Sequence, residues 1–178
     1  MAGRKKIFVI IGSTRAHSSN LKLVQKIENA LEDMFDFTIY EGLSGLPHFN
    51  PDLDSEYAPE QVVALRHQIA SADGIIICTP EYVFSLPGSL KNAIEWCVST
   101  TVFSKKATGL ITASASGEKA HEELQLVMKT VETVFTEDTT MLIRGIKSKF
   151  DDNGNITDVE TRTKLDTFIK AFTKLVNS

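Results

Sequence analysis

Five short apolar runs, each followed by a stretch of helical periodicity, constrain the fold of this chain most strongly. The run Lys5–Ile11 ends in five consecutive apolar residues with no polar alternation, as expected for a strand covered on both faces in a parallel sheet. Residues 75–79 repeat this pattern with three isoleucines. The remaining strands are predicted at residues 37–40, 107–113 and 139–144.

Apolar residues at three- and four-residue steps predict an amphipathic helix after each strand. The stripe of the first helix comprises Leu21, Val24, Ile27, Leu31 and Met34, with Ser18, Ser19 or Asn20 as its cap. The second helix begins near Pro59, with Val62, Val63, Leu65 and Ile69 facing inward. Further helices are predicted at residues 87–98, 118–135 and 158–176.

This alternation predicts an α/β fold of the flavodoxin-like type, a three-layer sandwich. Its five-stranded parallel sheet has the order 2-1-3-4-5, with helices on both faces. The 178 residues are 42% hydrophobic and contain no internal linker, so we expect one domain over residues 1–178. The connection over residues 41–55 contains the turn signals Leu46-Pro47 and Asn50-Pro51, and it is too long to be merely a link.

The charge and cysteine content narrow the function classes. A net charge of -4 without a run of like charges argues against a nucleic-acid surface and favours a small-molecule site. Neither a signal-peptide core nor a membrane span is visible, so we expect the cytoplasm. Cys78 and Cys97 lie in apolar stretches without C-x-x-C spacing, which predicts buried, reduced thiols. Redox chemistry must then come from a cofactor.

The loop after the first strand is rich in hydrogen-bond donors and precedes a helix N-terminus, where anions bind favourably. Its donors are Ser13, Thr14, Arg15, Ser18 and Asn20. It contains neither G-x-G-x-x-G nor G-K-[ST], so a terminal monophosphate is the expected guest. The alternative is an ordinary polar strand-to-helix loop with a serine cap.

A second segment, residues 79–96, reads TPEYVFSLPGSLKNAIEW. With the loop G-S-x-R-x-x-S-x-N, it makes the chain resemble the NADPH-dependent FMN reductase family, which includes quinone, azo-dye and chromate reductases. Two positions depart from the family pattern: Val83 stands where Asn is usual, and Glu118 and Lys119 replace a frequent glycine pair. From local chemistry alone, Tyr82 and Phe84 offer apolar surface to a flat aromatic ligand.

The resemblance implies a non-covalently bound FMN, with NADPH or NADH as the electron donor. The phosphate would be held by Ser13, Arg15, Ser18 and Asn20, and the local chemistry of the loop adds Thr14 as a further donor. The isoalloxazine ring would be lined by Pro80, Glu81, Tyr82 and Val83, and on its other side by residues 114–117, including Ser114 and Gly117. Backbone groups of residues 81–83 would bond the ring whatever the side chain at position 83.

The expected reaction is a ping-pong transfer of hydride from the nicotinamide to the flavin and then to a quinone, azo compound, metal oxyanion or free flavin. No side chain is then required as acid or base, and no metal is expected. The resemblance also implies a homodimer, or a dimer of dimers, with residues 43–57 and the Trp96 helix as contacts. The alternatives are an FMN-binding electron carrier or flavin module without turnover, and a sensor of another phosphate ligand.

Overall fold

The computed structural model describes residues 3–15, 18–54, 57–151 and 154–178. Five strands and five α-helices alternate along these residues. The strands are β1 (Lys5–Ile11), β2 (Phe35–Tyr40), β3 (Gly74–Thr79), β4 (Ala107–Ser114) and β5 (Thr140–Arg144). The helices are α1 (Ser19–Leu31), α2 (Glu60–Ser71), α3 (Gly88–Glu95), α4 (Glu118–Thr130) and α5 (Val159–Val176).

All strand pairs are parallel, and the sheet order is β2-β1-β3-β4-β5. The predicted flavodoxin-like order is therefore confirmed. Successive side chains of a strand point to opposite faces, so Ile7 and Val9 pack against α1 and α5. Phe8 and Ile10 pack against the layer of α2, α3 and α4. Every residue of β3 is buried, as its unbroken apolar run predicted.

Three details differ from the helix predictions. Met34 is 46% exposed because α1 ends at Leu31, so Met34 no longer belongs to the helical stripe. Val63 is 52% exposed and lies outside the buried face of α2. Helix α4 ends at Thr130 rather than near residue 135, because Glu132 takes a left-handed φ of 62°. The chain then turns back to pair with the sheet.

The long connection after β2 is folded onto α3. Asn92 accepts a hydrogen bond from the Phe49 amide (2.7 Å) and donates to the Pro47 carbonyl (2.9 Å). The indole of Trp96 donates to the same carbonyl (2.8 Å) and meets Phe49 edge-on. Trp96 is fully buried, so its main role is to anchor this connection within the chain.

Both cysteines are buried free thiols, as predicted. Burial raises the pKa of the Cys78 thiol far above its usual range, and burial also raises the pKa of Cys97 to about 12. Since the thiolate is the nucleophilic form, neither residue is a candidate nucleophile. None of the helices in the described part of the chain has the length and apolarity that a membrane crossing requires.

Candidate active site

A cavity of about 460 Å³ opens at the carboxyl ends of the strands. It lies where the strand order reverses between β1 and β3, the usual ligand position in doubly wound sheets. Seven of the predicted site residues line it, namely Ser13, Arg15, Ser18, Asn20, Pro80, Tyr82 and Ser114. Its volume falls within the range of about 300–1,000 Å³ typical of small-molecule pockets.

The loop after β1 presents a helix N-terminus to this cavity. The hydroxyl oxygen of Ser18 accepts a hydrogen bond from the Leu21 amide (3.1 Å) and caps α1. The Ser13 hydroxyl oxygen accepts from the Arg15 amide (3.3 Å). The Arg15 side chain is exposed and has no ion-pair partner among the described residues. A free guanidinium beside the positive end of a helix is suited to an anionic ligand.

Asn20 is tied into the protein at the start of α1. Its amide nitrogen donates to the Ala113 carbonyl (3.2 Å), and its side-chain oxygen accepts from the Cys78 thiol (3.2 Å). The raised pKa keeps this thiol protonated and able to donate. Asn20 therefore joins the phosphate-loop candidate to the ends of β3 and β4, while its contact with phosphate stays a prediction.

Thr14 lines a second cavity, of about 310 Å³, on the β2 side of the same loop. The two cavities share Ser13, Arg15 and Ser18. The walls of the second cavity include Tyr40 at the end of β2 and the connection that follows it. The loop after β1 thus separates two recesses, and Arg15 borders both.

The segment after β3 forms a tight turn over residues 82–85. The Tyr82 amide donates to the Ser85 carbonyl (3.0 Å), and the Ser85 amide donates to the Tyr82 carbonyl (3.1 Å). The two central residues, Val83 and Phe84, have left-handed φ values of 53° and 58°. This is a type I′ geometry that favours Gly, Asn or Asp, and a β-branched residue is strained in it. Val83 is 94% exposed and Phe84 is 76% exposed.

Two carboxylates fasten this turn to α4. Glu81 accepts hydrogen bonds from the Gly117 amide (3.1 Å) and the Ala120 amide (3.0 Å). Gly117 is the N-cap residue of α4 and has no side chain to cap the helix. The Glu81 carboxylate caps the helix in its place. Glu123 accepts from both the Ser85 hydroxyl (2.7 Å) and the Leu86 amide (2.9 Å). The turn is therefore held on each side by a carboxylate that bonds backbone amides.

Four predicted site residues do not line the larger cavity. Thr14 borders the second cavity, the Glu81 carboxylate is directed to α4, and Val83 is at the exposed tip of the turn. The Gly117 amide is already bonded to Glu81. The amides of Val83 and Phe84 have no hydrogen-bond partner among the described residues. Of the backbone groups predicted to bond the ring at residues 81–83, the Val83 amide is therefore available to a ligand, whereas the Tyr82 amide is bonded within the turn.

Sequence reasoning missed one wall of the cavity and one anchor. The wall is the segment after β5, comprising Gly145, Ile146, Lys147 and Ser148. Its position was accessible from topology, because the carboxyl ends of all parallel strands meet at one edge. The anchor is Glu123. A glutamate on the polar face of a helix gives no signal in sequence, since solvent exposure is its usual state.

No group of three or more His, Cys, Asp or Glu side chains converges in the part of the chain that the structure describes. His121 is half-buried, and its Nδ1 lies 3.0 Å from the Thr112 hydroxyl. Burial lowers its pKa. Asp151 accepts from the Asn155 amide (2.7 Å) within a turn.

Comparison with known proteins decides the family. A sequence profile described as NADPH-dependent FMN reductase matches residues 5–146. The chain belongs to this family. A 2-hydroxy-1,4-benzoquinone reductase of a Burkholderia species is 35% identical over 173 residues, which cover 94% of this chain and 93% of the relative. A quinone reductase of Pseudomonas putida is 28% identical over 176 residues, covering 96% and 94%.

A solved structure agrees with this family membership. The flavoenzyme NAD(P)H:(acceptor) oxidoreductase FerB from Paracoccus denitrificans superposes with a TM-score of 0.85 at 30% identity, covering 97% of both chains. As a member of the NADPH-dependent FMN reductase family, this chain is an oxidoreductase that uses FMN and NAD(P)H. The resemblance inferred from the two motifs is confirmed.

Proposed function

We propose that this protein reduces a small quinone with electrons from NAD(P)H. The observation that carries the proposal is the 460 Å³ cavity, which joins an anion-binding helix start to the aromatic side chain of Tyr82 within one recess. An anionic tail and a flat ring are the two parts of FMN, and a quinone is a flat partner for the same ring surface. The 35% identity to a 2-hydroxy-1,4-benzoquinone reductase supports this class of oxidant.

The donor set of the cavity fits FMN. We propose that Arg15, Ser13 and the amides at the start of α1 hold the phosphate. An unpaired guanidinium and a helix N-terminus both attract the negative charge of a phosphate dianion. Ser18 contributes through its cap of α1. The unpartnered amides of Val83 and Phe84 are donors for the polar edge of a ring system, and Pro80 and Tyr82 supply apolar wall.

The protein's share of the reaction is positioning. When bound, FMN supplies the redox chemistry by accepting a hydride from NAD(P)H and returning two electrons to the oxidant. The described side chains around the cavity include no carboxylate and no histidine. The chain's residues therefore bind the phosphate, orient the ring surfaces and limit the access of solvent, which is the contribution expected of protein groups around a redox cofactor.

The decisive test is an anaerobic titration. The purified protein is saturated with FMN, and flavin absorbance is followed while NADPH and then 2-hydroxy-1,4-benzoquinone are added. Bleaching by NADPH and recovery with the quinone are expected. Stable FMN binding without bleaching would instead identify a carrier or flavin module, and a colourless protein that binds another phosphate compound would identify a sensor.

The oxidant class requires a separate measurement. We expect kcat/KM for the hydroxylated benzoquinone to exceed the values for an azo dye, chromate and free FMN under identical NADPH. A higher value for one of these competitors would replace quinone as the proposed substrate class. Repeating the series with NADH determines the donor preference.

We further propose a single domain that forms a homodimer in the cytoplasm. Leu53 and Tyr57 of the connection after β2 are 44% and 78% exposed, which supports this connection as the contact. The expected Trp96 contact is limited to its neighbours, since Trp96 itself is buried in its own chain. Reduced buried thiols support a reducing compartment. Sedimentation of the holoenzyme is expected to give twice the chain mass, and a tetramer would indicate a dimer of dimers.

A further inference from the structure

We infer that Glu123 is a positioning residue, whose carboxylate holds the strained 82–85 turn in the conformation that forms one wall of the cavity. This inference rests on the proposed function, because the turn matters only if a ligand occupies the cavity. Glu123 lies on α4, its side chain is half-buried, and it does not line the cavity itself. Its effect on a ligand is therefore transmitted through the turn.

The contacts of Glu123 are concentrated on one oxygen. Its Oε2 accepts from the Ser85 hydroxyl (2.7 Å) and from the Leu86 amide (2.9 Å). These residues are the last position of the turn and the first position after it. The carboxylate thereby fixes the exit of the turn to α4, while Glu81 fixes its entry to the amides of Gly117 and Ala120.

The turn needs such a restraint because its own sequence disfavours its conformation. Val83 and Phe84 are consecutive left-handed residues, and neither is Gly, Asn or Asp. L-residues with bulky side chains occupy this region at a cost, and a strained backbone persists only when surrounding contacts over-determine it. Val83 is almost fully exposed, so packing of its own side chain does not provide the restraint.

Loss of the Glu123 contacts would change the cavity wall at two places. Tyr82 is the first residue of the turn and lines the cavity, and the free amides of Val83 and Phe84 take their direction from the left-handed backbone. If the turn relaxed to an ordinary conformation, both amides would rotate away from their present direction. A displaced wall of this kind lowers the rate of a reaction that depends on ring alignment.

The experiment compares Glu123→Ala with Glu122→Ala in the FMN-loaded protein. Glu122 is the adjacent residue on α4, exposed, and paired with Lys119 at the surface. Glu123→Ala is expected to lower kcat/KM for the quinone by about tenfold and to change the visible circular dichroism of bound FMN. Hydrogen exchange at the Tyr82 and Ser85 amides is expected to accelerate, whereas Glu122→Ala leaves all three readouts near wild type.

Two further variants distinguish positioning from a loss of general stability. Glu123→Gln retains a carbonyl oxygen that can accept both bonds, so it is expected to restore most of the lost kcat/KM. Adding Val83→Asn to Glu123→Ala is also expected to restore part of it, because Asn tolerates the left-handed region. Should Glu123→Ala fail to fold, Ser85→Ala removes one of the two bonds and is expected to give a smaller change in the same readouts.

The outcomes separate the inference from the function on which it rests. If wild-type protein binds no FMN or shows no turnover, the proposed function fails and this inference fails with it. If wild type turns over and Glu123→Ala matches Glu122→Ala in kcat/KM, dichroism and exchange, the inference alone is overturned. A Glu123→Ala defect that is confined to the unfolding temperature, without rescue by Val83→Asn, overturns it as well.

Discussion

The loop after β1 and the turn after β3 border the same cavity, yet their backbones are held in opposite ways. The first is organised locally, by the Ser18 cap and the contact between Ser13 and the Arg15 amide. The second contains two left-handed non-glycine residues and is held by carboxylates that bridge it to α4. Apart from the Asn20 contacts at the start of α1, the hydrogen bonds found in the first loop join near neighbours in sequence, whereas those of the second depend on a helix that follows β4.

This difference matches the chemistry proposed for each region. A phosphate is recognised by charge and backbone amides, which a helix N-terminus provides without strain. A ring requires amides and apolar surface at a defined angle, and the left-handed turn provides this at an energetic cost. Side-chain changes in the first region should therefore act on binding of the charged group, and changes in the second should act on stability and alignment.

The largest effect is expected from Arg15→Ala. Losing a charge-assisted contact costs about 1.5–3 kcal/mol, so FMN should bind roughly 10- to 100-fold more weakly. Riboflavin, which lacks the phosphate, should bind variant and wild type alike. Isothermal titration with both ligands measures this, with Arg162→Ala as a control on the exposed side of α5. An equal loss for riboflavin would contradict the assignment of the phosphate to this loop.

Glu81→Ala tests the other region. It removes both hydrogen bonds that cap α4, and loss of a helix cap with charged hydrogen bonds costs about 2 kcal/mol. The unfolding temperature should fall by roughly 4–8 °C, as measured by calorimetry. Glu95→Ala, which removes an exposed ion pair with Lys91, should lower it much less. A fall no larger than that of this control would show that the cap is dispensable.

Val83→Asn should relieve strain in the turn. Because Asn tolerates left-handed φ values and Val does not, the free energy of unfolding should rise by about 1 kcal/mol. Chemical denaturation measures this change. Val98→Asn replaces another exposed valine, 59% exposed against 94% for Val83, outside the left-handed positions and should not stabilise the protein. Unchanged or lower stability of Val83→Asn would show that the turn carries no relievable strain.

The smallest expected effect is on the pH dependence of stability, and it comes from His121 on α4. Burial lowers the pKa of His121 below its ordinary value of 6.5, so the unfolded state binds more protons. The contribution of His121 to stability is therefore complete above pH 6.5 and declines as the pH falls from 6.5 through the lower folded pKa. Denaturation of His121→Gln between pH 7.5 and 5 should lack this part of the decline, whereas His67→Gln, at an exposed position, should retain it.

Much of the architecture could be predicted from local pattern. Lys5–Ile11 was predicted with its observed bounds, and β3 and β4 were predicted within one residue at one end, because strands buried on both faces have unbroken apolar runs. The edge strand β2 begins two residues before its predicted start. Its half-buried, partly alternating pattern is a weaker signal at the border with a helix.

The site residues also separate into those that local sequence predicts and those that only packing places. The sequence by itself determined the fold, the donor-rich loop after β1 and the motif after β3, since these depend on residue types at fixed spacing. Only the tertiary structure decided that Asn20 bonds Ala113, that Glu81 caps α4 and that Glu123 secures Ser85. Each of these contacts joins residues at least 36 positions apart, so the direction of each side chain depends on how separate elements pack. Residue type specifies what a group is able to bond, and packing selects the partner.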